Sequence, residues 1–124
     1  MLTPGEQLGK YQVIERLGGG HFGDVYKVRD HALLREAALK VIPTTDADAV
    51  KALVEAQAQN LCKHDNCVHV TSADIMDIRG ILSVLIEMEY IAAGSLQDRL
   101  NASFISCGEA VRHVCQILYA LEFA

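Results

Sequence analysis

The alternation of apolar and polar residues in the first third of the chain predicts three β-strands. The first spans residues 11–17 and stops at a run of three glycines. The second spans residues 24–29, where valines and a tyrosine favour extended backbone. The third spans residues 36–42 and is closed by Pro43. We therefore expect this part of the chain to form a sheet.

The pattern then changes to helical spacing and back again. Residues 46–63 are rich in strong helix formers and are preceded by N-capping residues, so they predict a helix. Two further strands are predicted near residues 68–76 and 81–88, with Arg79-Gly80 as the turn between them.

Two helices are predicted in the last quarter of the chain. Ser95, followed three residues later by Asp98, predicts a capped short helix, and Ser106 with Glu109 predicts the start of a longer one. Apolar residues then recur at helical spacing, at Val111, Val114, Cys115, Leu118 and Leu121. A stripe of this kind needs cover, so we expect a homodimer, a swapped dimer or a partner chain.

The length, composition and charge of the chain exclude several classes of protein. The 124 residues predict one domain, and 51% hydrophobic with 22% charged residues is typical of a globular chain. The net charge of −5 is spread along the sequence, which argues against nucleic-acid or anionic-membrane binding. There is no apolar run long enough for a membrane span and no signal-peptide pattern. We expect a cytoplasmic protein whose four cysteines are reduced thiols.

The glycine run belongs to a motif, Gly18-x-Gly20-x-x-Gly23-x-Val25, between two predicted strands. Glycines let backbone N–H groups approach a phosphate closely. In dinucleotide-binding domains the third glycine of such a motif opens a helix, whereas here a strand follows. A phosphate-binding hairpin and a flexible hairpin without a ligand both remain open at this point.

Lys40 lies in an otherwise apolar strand. An ammonium group at a buried surface usually requires an anionic partner, and Glu55 on the following predicted helix is a candidate. The alternatives are a lysine that extends to water and an ordinary solvated glutamate.

The ordered set of motifs resembles the protein kinase family of the eukaryotic-like Ser/Thr type. Besides the glycine motif, the set includes Ala38-Leu39-Lys40, residues 64–68 (His-Asp-Asn-Cys-Val) and residues 87–96. The resemblance implies an α+β kinase N-lobe: a twisted five-stranded antiparallel sheet with helix αC, then helices αD and αE of an incomplete C-lobe. It divides the chain into an N-terminal extension (1–10), an ATP-binding N-lobe (11–91) and a segment after the hinge (92–124).

The resemblance also implies an ATP site and the role of each residue in it. Lys40 would contact the α- and β-phosphates and pair with Glu55. The phosphates would be covered by Gly18, Gly20, Phe22 and Gly23. The adenine and ribose would be contacted by Leu17, Val25, Ala38, Met88 as gatekeeper, the backbone of Glu89 and Ile91, and Ser95.

Two departures from the family pattern matter. Asp65 replaces a usual proline, and Gln59 places a polar residue where αC is usually apolar, which weakens the expected packing of that helix. The H-R-D-x-x-x-x-N and D-F-G motifs do not occur in the sequence. We therefore assign no catalytic and no metal-binding residue, expect Mg²⁺ only if a C-lobe is supplied, and expect no turnover by this chain alone.

Two functions are compatible with these motifs. The first is the ATP-binding lobe of a Ser/Thr protein kinase whose intact form phosphorylates protein hydroxyls. The second is a stand-alone lobe that regulates or inhibits a partner, or the small chain of a split kinase. A zinc site formed by Cys62, His64, Cys67 and His69 is disfavoured because their spacing matches no standard zinc motif.

Overall fold

The structure of the chain is a computed structural model that describes residues 1–20, 23–45, 47–48, 51, 53–54, 65–103 and 105–123. The described residues form one antiparallel sheet in the order β1-β2-β3-β4-β6-β5. Its strands are β1 (Gln7–Leu8), β2 (Tyr11–Gly20), β3 (Gly23–Asp30), β4 (Arg35–Pro43), β5 (Val70–Ile78) and β6 (Ile81–Met88). The chain continues into helices α1 (Leu96–Ala102) and α2 (Cys107–Phe123). The predicted α+β lobe is confirmed.

The five predicted strands correspond to β2–β6, and each predicted bound lies within three residues of the observed one. The sheet has one strand more than predicted, because Leu8 pairs with Tyr11 and adds the two-residue strand β1 at the edge. The helix predicted over residues 46–63 lies mostly outside the described residues, although residues 47–48, 51 and 53–54 are helical.

The turn predicted at Arg79-Gly80 is confirmed. Both residues have positive φ, 55° and 82°, which is the backbone of a two-residue hairpin turn that matches the twist of the strands. The Asp77 carboxylate accepts the Gly80 N–H at 2.8 Å and stabilises the turn.

The register of the strands assigns side chains to two faces of the sheet. Val25, Lys40 and Ile86 lie opposite one another on adjacent strands, and their face is called the front face below. Tyr26 and Leu39 are also paired, and because neighbouring residues of a strand point to opposite sides, they lie on the back face.

The larger apolar core covers the back face. Residues 1–8 contribute to it directly, since Leu2 and Leu8 are only 7% and 6% exposed. The buried members of this core are Leu2, Leu8, Tyr11, Val13, Tyr26, Val28, Ala37, Leu39, Val41 and Leu85. A smaller cluster on the front face surrounds Val84 and Ile86 and includes Leu53 from the helical segment. The first residues of the chain are therefore part of the packed sheet.

Two buried carboxylates lie at one end of the back face. Asp30 and Glu87 have side chains that are 0% and 1% exposed. Tyr11 donates its hydroxyl to Glu87 at 2.6 Å, and the Lys10 ammonium lies 3.8 Å from Asp30 and 3.7 Å from Glu87. Arg35 approaches Glu87 at 3.6 Å. Two cations and a phenol hydroxyl thus interact with these two carboxyl groups, whose burial would otherwise be unfavourable.

The same contacts shift two pKa values in opposite directions. Burial, followed by the hydrogen bond to Glu87, raises the pKa of the Tyr11 phenol. Burial acts to raise the pKa of Asp30. Hydrogen bonds with the Leu33 N–H, the Glu87 carboxyl and the Ala32 N–H, with the Lys10 ammonium nearby, outweigh burial and lower that pKa.

We expect Tyr11 to make the stability of the fold fall at alkaline pH. A raised pKa means that the neutral phenol is favoured in the folded state, so its contribution is complete below its ordinary pKa of 10.0 and is lost as the pH rises above that value. Urea unfolding between about pH 8 and pH 11 measures the effect, with Tyr11→Phe as the control variant. If wild type and Tyr11→Phe lose stability equally over this range, the assignment is contradicted.

Both helices begin with capping contacts. Ser95 accepts the Asp98 N–H at 3.1 Å, and the Asp98 carboxylate accepts the Ser95 N–H at 2.8 Å, which completes the predicted capping box. Ser106 accepts the Glu109 N–H at 3.1 Å at the start of α2. Glu109 also accepts from Arg99 of α1 at 2.7 Å, which joins the two helices.

Helix α2 exposes an apolar surface. Its large apolar side chains that are more than half exposed are Val111, Val114, Ile117, Leu118, Tyr119 and Leu121. No helix within the described part of the chain is long and apolar enough to span a membrane.

Candidate functional site

The glycine motif forms a β-hairpin between β2 and β3. Gly18 pairs with Val25, and Gly20 pairs with Gly23, so extended strands lead into and out of the turn. The register shifts between Arg16 and Gly18, which makes Leu17 the extra residue of a β-bulge. A strand follows the third glycine, and the dinucleotide-binding arrangement is therefore excluded. Phe22, predicted at the tip of the hairpin, lies outside the described residues.

The positions of this hairpin differ in whether the fold itself requires glycine there. Gly23 has φ +105°, and a Cβ added there would lie 2.3 Å from the Val41 carbonyl oxygen, so the fold itself requires glycine. A Cβ added at Gly18 or Gly20 would meet no atom of the described residues within 4 Å, and neither has positive φ. The described residues around the hairpin therefore give no steric or torsional reason for glycine at these two positions.

The sheet brings four of the predicted site residues together. Val25 lies opposite Lys40, and Ala38 lies opposite Met88, so all four side chains share the front face. Ala38 is 8% exposed, whereas Val25, Lys40 and Met88 are half-buried. Small and apolar side chains therefore share this face of the sheet with Lys40. Glu55, the predicted partner of Lys40, lies outside the described residues, and that pairing remains a prediction.

The segment after β6 is joined by two hydrogen bonds to His69, the residue that precedes β5. The Glu89 N–H donates to the His69 carbonyl at 3.1 Å, and the Glu89 carboxylate accepts the His69 N–H at 3.2 Å. The Ile91 carbonyl accepts the Gly94 N–H at 3.4 Å. Residues 89–91 thus follow directly after Met88, a residue of the front face, and the family resemblance implies that the Glu89 and Ile91 backbone contacts adenine.

Ser95 has a structural role as the N-cap of α1. Its hydroxyl accepts from Asp98 and retains a proton to donate, so the predicted ribose contact is compatible with the cap and remains a prediction. Leu17 is 43% exposed at its bulge next to the hairpin.

Some contacts of the site were missed by sequence reasoning. Arg16 and Asp24 form an ion pair, with Nη2 and Oδ1 2.9 Å apart, on the back side of the hairpin. The hydrogen bond from Arg16 lowers the pKa of Asp24. Lys27 lies 4.8 Å from the centre of the Tyr90 ring, which connects β3 to the segment after β6. The Arg16–Asp24 ion pair did leave a signal in the sequence, since these two residues carry opposite charges on either side of the glycine run.

No group of three or more His, Cys, Asp or Glu side chains comes together for a metal ion among the residues that the structure describes. Cys62 and His64, two members of the disfavoured zinc set, lie outside those residues.

Comparison with known proteins adds to this geometry. The sequence model described as "Protein kinase domain" matches residues 11–124. The chain is 32% identical over 117 residues to serine/threonine-protein kinase ppk11 of Schizosaccharomyces pombe, a match covering 92% of the chain and 36% of that protein. It is 28% identical over 118 residues to serine/threonine-protein kinase 1 of Arabidopsis thaliana, covering 93% of the chain and 14% of that protein.

A bacterial relative has the same 28% identity to the chain as the Arabidopsis thaliana protein. Serine/threonine-protein kinase PksC of Streptomyces coelicolor is 28% identical over 125 residues, and the match covers 94% of the chain and 22% of that protein. The chain therefore spans between 14% and 36% of the length of these three relatives.

Proposed function

The chain belongs to the protein kinase family, and we propose that it is the ATP-binding N-terminal lobe of a Ser/Thr protein kinase. In this proposal, the protein that contains the lobe transfers the γ-phosphate of ATP to hydroxyl groups of protein substrates. The relatives described above are Ser/Thr kinases by name, and that supports the class of acceptor.

One observation carries the ATP-binding proposal. Val25, Ala38 and Met88 lie on the front face of the sheet. Lys40 shares that face and lies opposite Val25, which in turn pairs with Gly18 of the glycine hairpin. An adenine ring fits against apolar side chains, and a polyphosphate requires a cation and backbone N–H groups. Gly18 and Gly20, whose side chains would meet open space, are the positions where close approach of phosphates supplies a reason for glycine.

The residues of this lobe bind and orient the nucleotide in the proposal. The Gly18–Gly20–Gly23 hairpin covers the phosphates, Lys40 fixes the α- and β-phosphates with Glu55 as its partner, and the Glu89 and Ile91 backbone holds the adenine edge. Mg²⁺ would neutralise phosphate charge during transfer. We assign no Mg²⁺ ligand to this chain and propose that a C-lobe with the family's metal-binding motifs supplies them.

The apolar surface of α2 supports a contact with such a C-lobe. Leu118 and Leu121 are 58% and 66% exposed, and soluble domains rarely leave contiguous apolar surfaces uncovered. We propose that the remainder of a kinase domain, on the same or a separate polypeptide, covers this helix. Phosphate transfer after addition of a separately expressed second lobe would support the separate arrangement.

Thermal unfolding with and without ATP tests the nucleotide site. At a free ATP concentration ten times its Kd, wild type should gain about 1.4 kcal/mol of stability because ligand binds only the folded state. Lys40→Ala should lose most of this gain, because it removes the cation that faces the phosphates. Lys51→Ala, which removes an exposed lysine from the helical segment, should keep the gain. Absence of an ATP effect on wild type would remove nucleotide binding from the proposal.

A further inference from the structure

A series of hydrogen bonds on the back face connects the glycine hairpin to the N-terminal segment. Arg16 donates to Asp24 Oδ1 through Nη2 at 2.9 Å and through Nε at 3.3 Å. The Tyr26 hydroxyl donates to Asp24 Oδ2 at 3.4 Å and accepts the Leu2 N–H at 3.0 Å. Tyr26 is 1% exposed, and Leu2 is 7% exposed. Tyr26 and Leu2, at the far end of this series, are thus buried in the core.

The ion pair lies directly against the backbone of Gly19. A Cβ added at Gly19 would be 2.1 Å from both Arg16 Nη2 and Asp24 Oδ1, so a side chain there would displace the ion pair. Gly19 has no positive φ, so its backbone alone does not require glycine. Glycine at this position therefore makes room for the ion pair, on the face opposite to the one where phosphates would bind.

We propose that Arg16 and Asp24 are positioning residues that clamp the two arms of the glycine hairpin from behind and so set its height over the ATP phosphates. Tyr26 ties this clamp to the buried start of the chain. The inference rests on the proposed function, since it assigns a role in phosphate binding to residues that do not face the phosphates.

The clamp should affect ATP affinity more than it affects global stability. Arg16 and Asp24 are 40% and 33% exposed, so the ion pair adds little to global stability. The hairpin contains consecutive glycines, whose backbone has many accessible conformations, and a weak restraint shifts such a population measurably. We therefore expect an effect on ATP affinity without a comparable effect on the melting temperature.

Three variants separate positioning from simple electrostatics. Asp24→Asn and Arg16→Gln each break the clamp, but they change the local charge in opposite directions. If charge alone mattered, removal of the carboxylate would strengthen binding of the ATP polyanion and removal of the guanidinium would weaken it. The charge swap Arg16→Asp/Asp24→Arg restores an ion pair with unchanged net charge. Glu36→Gln is the matched control, because it removes an exposed carboxylate that pairs with Lys27 on the sheet, away from the hairpin.

Dissociation constants for ATP and adenosine give the decisive readout. We expect both single variants to weaken ATP binding by about two- to fivefold and to leave adenosine binding unchanged. The charge swap should recover most of the loss, and Glu36→Gln should match wild type for both ligands. Opposite effects of the two single variants on ATP affinity, or equal losses for ATP and adenosine, would overturn the inference.

Amide hydrogen exchange tests the clamp independently of ligand binding. In the nucleotide-free chain, exchange at residues 18–20 and 23–25 should become faster in both single variants and return towards wild type in the charge swap. If wild type binds neither ATP nor adenosine, the proposed function fails while this measurement still decides whether the clamp restrains the hairpin. Unchanged exchange in both single variants would reject the clamp.

Discussion

Replacement of Glu87 by alanine is expected to lower the free energy of unfolding by about 3–5 kcal/mol, the usual cost of removing one partner from a buried charge network. Glu87 is 1% exposed and accepts hydrogen bonds from Tyr11 at 2.6 Å and Ser72 at 3.2 Å. Without it, the Tyr11 hydroxyl loses its closest acceptor, and Lys10 and Arg35 lose a counter-charge. Because both cations are more than a third exposed, water compensates part of their loss, and the buried hydrogen bonds dominate.

Chemical denaturation of wild type, Glu87→Ala and Glu36→Ala measures this effect. Glu36 also forms an ion pair on the sheet, but its side chain is 46% exposed, so Glu36→Ala should cost less than about 1 kcal/mol. The double variant Tyr11→Phe/Glu87→Ala should cost less than the sum of the two single variants, since both remove the same hydrogen bond. Equal stability of the two glutamate variants would show that the buried network does not stabilise the fold.

Gly23→Ala is expected to destabilise the chain by about 2–5 kcal/mol, from unfavourable backbone torsion and from steric overlap. The residue has φ +105°, which alanine rarely adopts, and its Cβ would lie 2.3 Å from the Val41 carbonyl oxygen. Since that oxygen belongs to the backbone of a central strand, the overlap is relieved only by moving β3 away from β4.

Gly20→Ala is the matched control, because its Cβ would meet no described atom within 4 Å and its φ is not positive. Thermal unfolding should therefore separate the two variants clearly, while ATP binding should suffer in Gly20→Ala if the hairpin covers phosphates. A Gly23→Ala variant with wild-type stability would contradict the close approach of β3 and β4. The pair of variants thus distinguishes a glycine required by the fold from one proposed to serve the ligand.

Much of the sheet could be predicted because each strand carries its own local signal. β3 and β4 contain valines, alanines and a leucine in short runs bounded by turn residues, and these features do not depend on distant parts of the chain. The grouping of Val25, Ala38, Lys40 and Met88 was implied by family resemblance, and the strand register now supplies its geometric basis.

The remaining features depend on contacts between residues far apart in sequence. Tyr11 and Glu87 are 76 positions apart, and nothing in either segment alone indicates that a glutamate in an apolar strand is buried. Strand β1 has two residues, too few to show alternation. The charges of Arg16 and Asp24 flank the glycine run, but only the register across the hairpin shows that they pair, because a bulge at Leu17 changes which residues lie opposite each other.

Because Leu2 and Leu8 are buried, the packed core includes residues that precede the family match. The family match starts at residue 11, yet two side chains ahead of it fill the hydrophobic interior behind β2–β4. Arg79 also holds the first residue through the Met1 carbonyl at 3.3 Å. A boundary drawn from sequence similarity would therefore remove part of the packed core, and a fusion partner joined ahead of Met1 would emerge beside the β5–β6 turn.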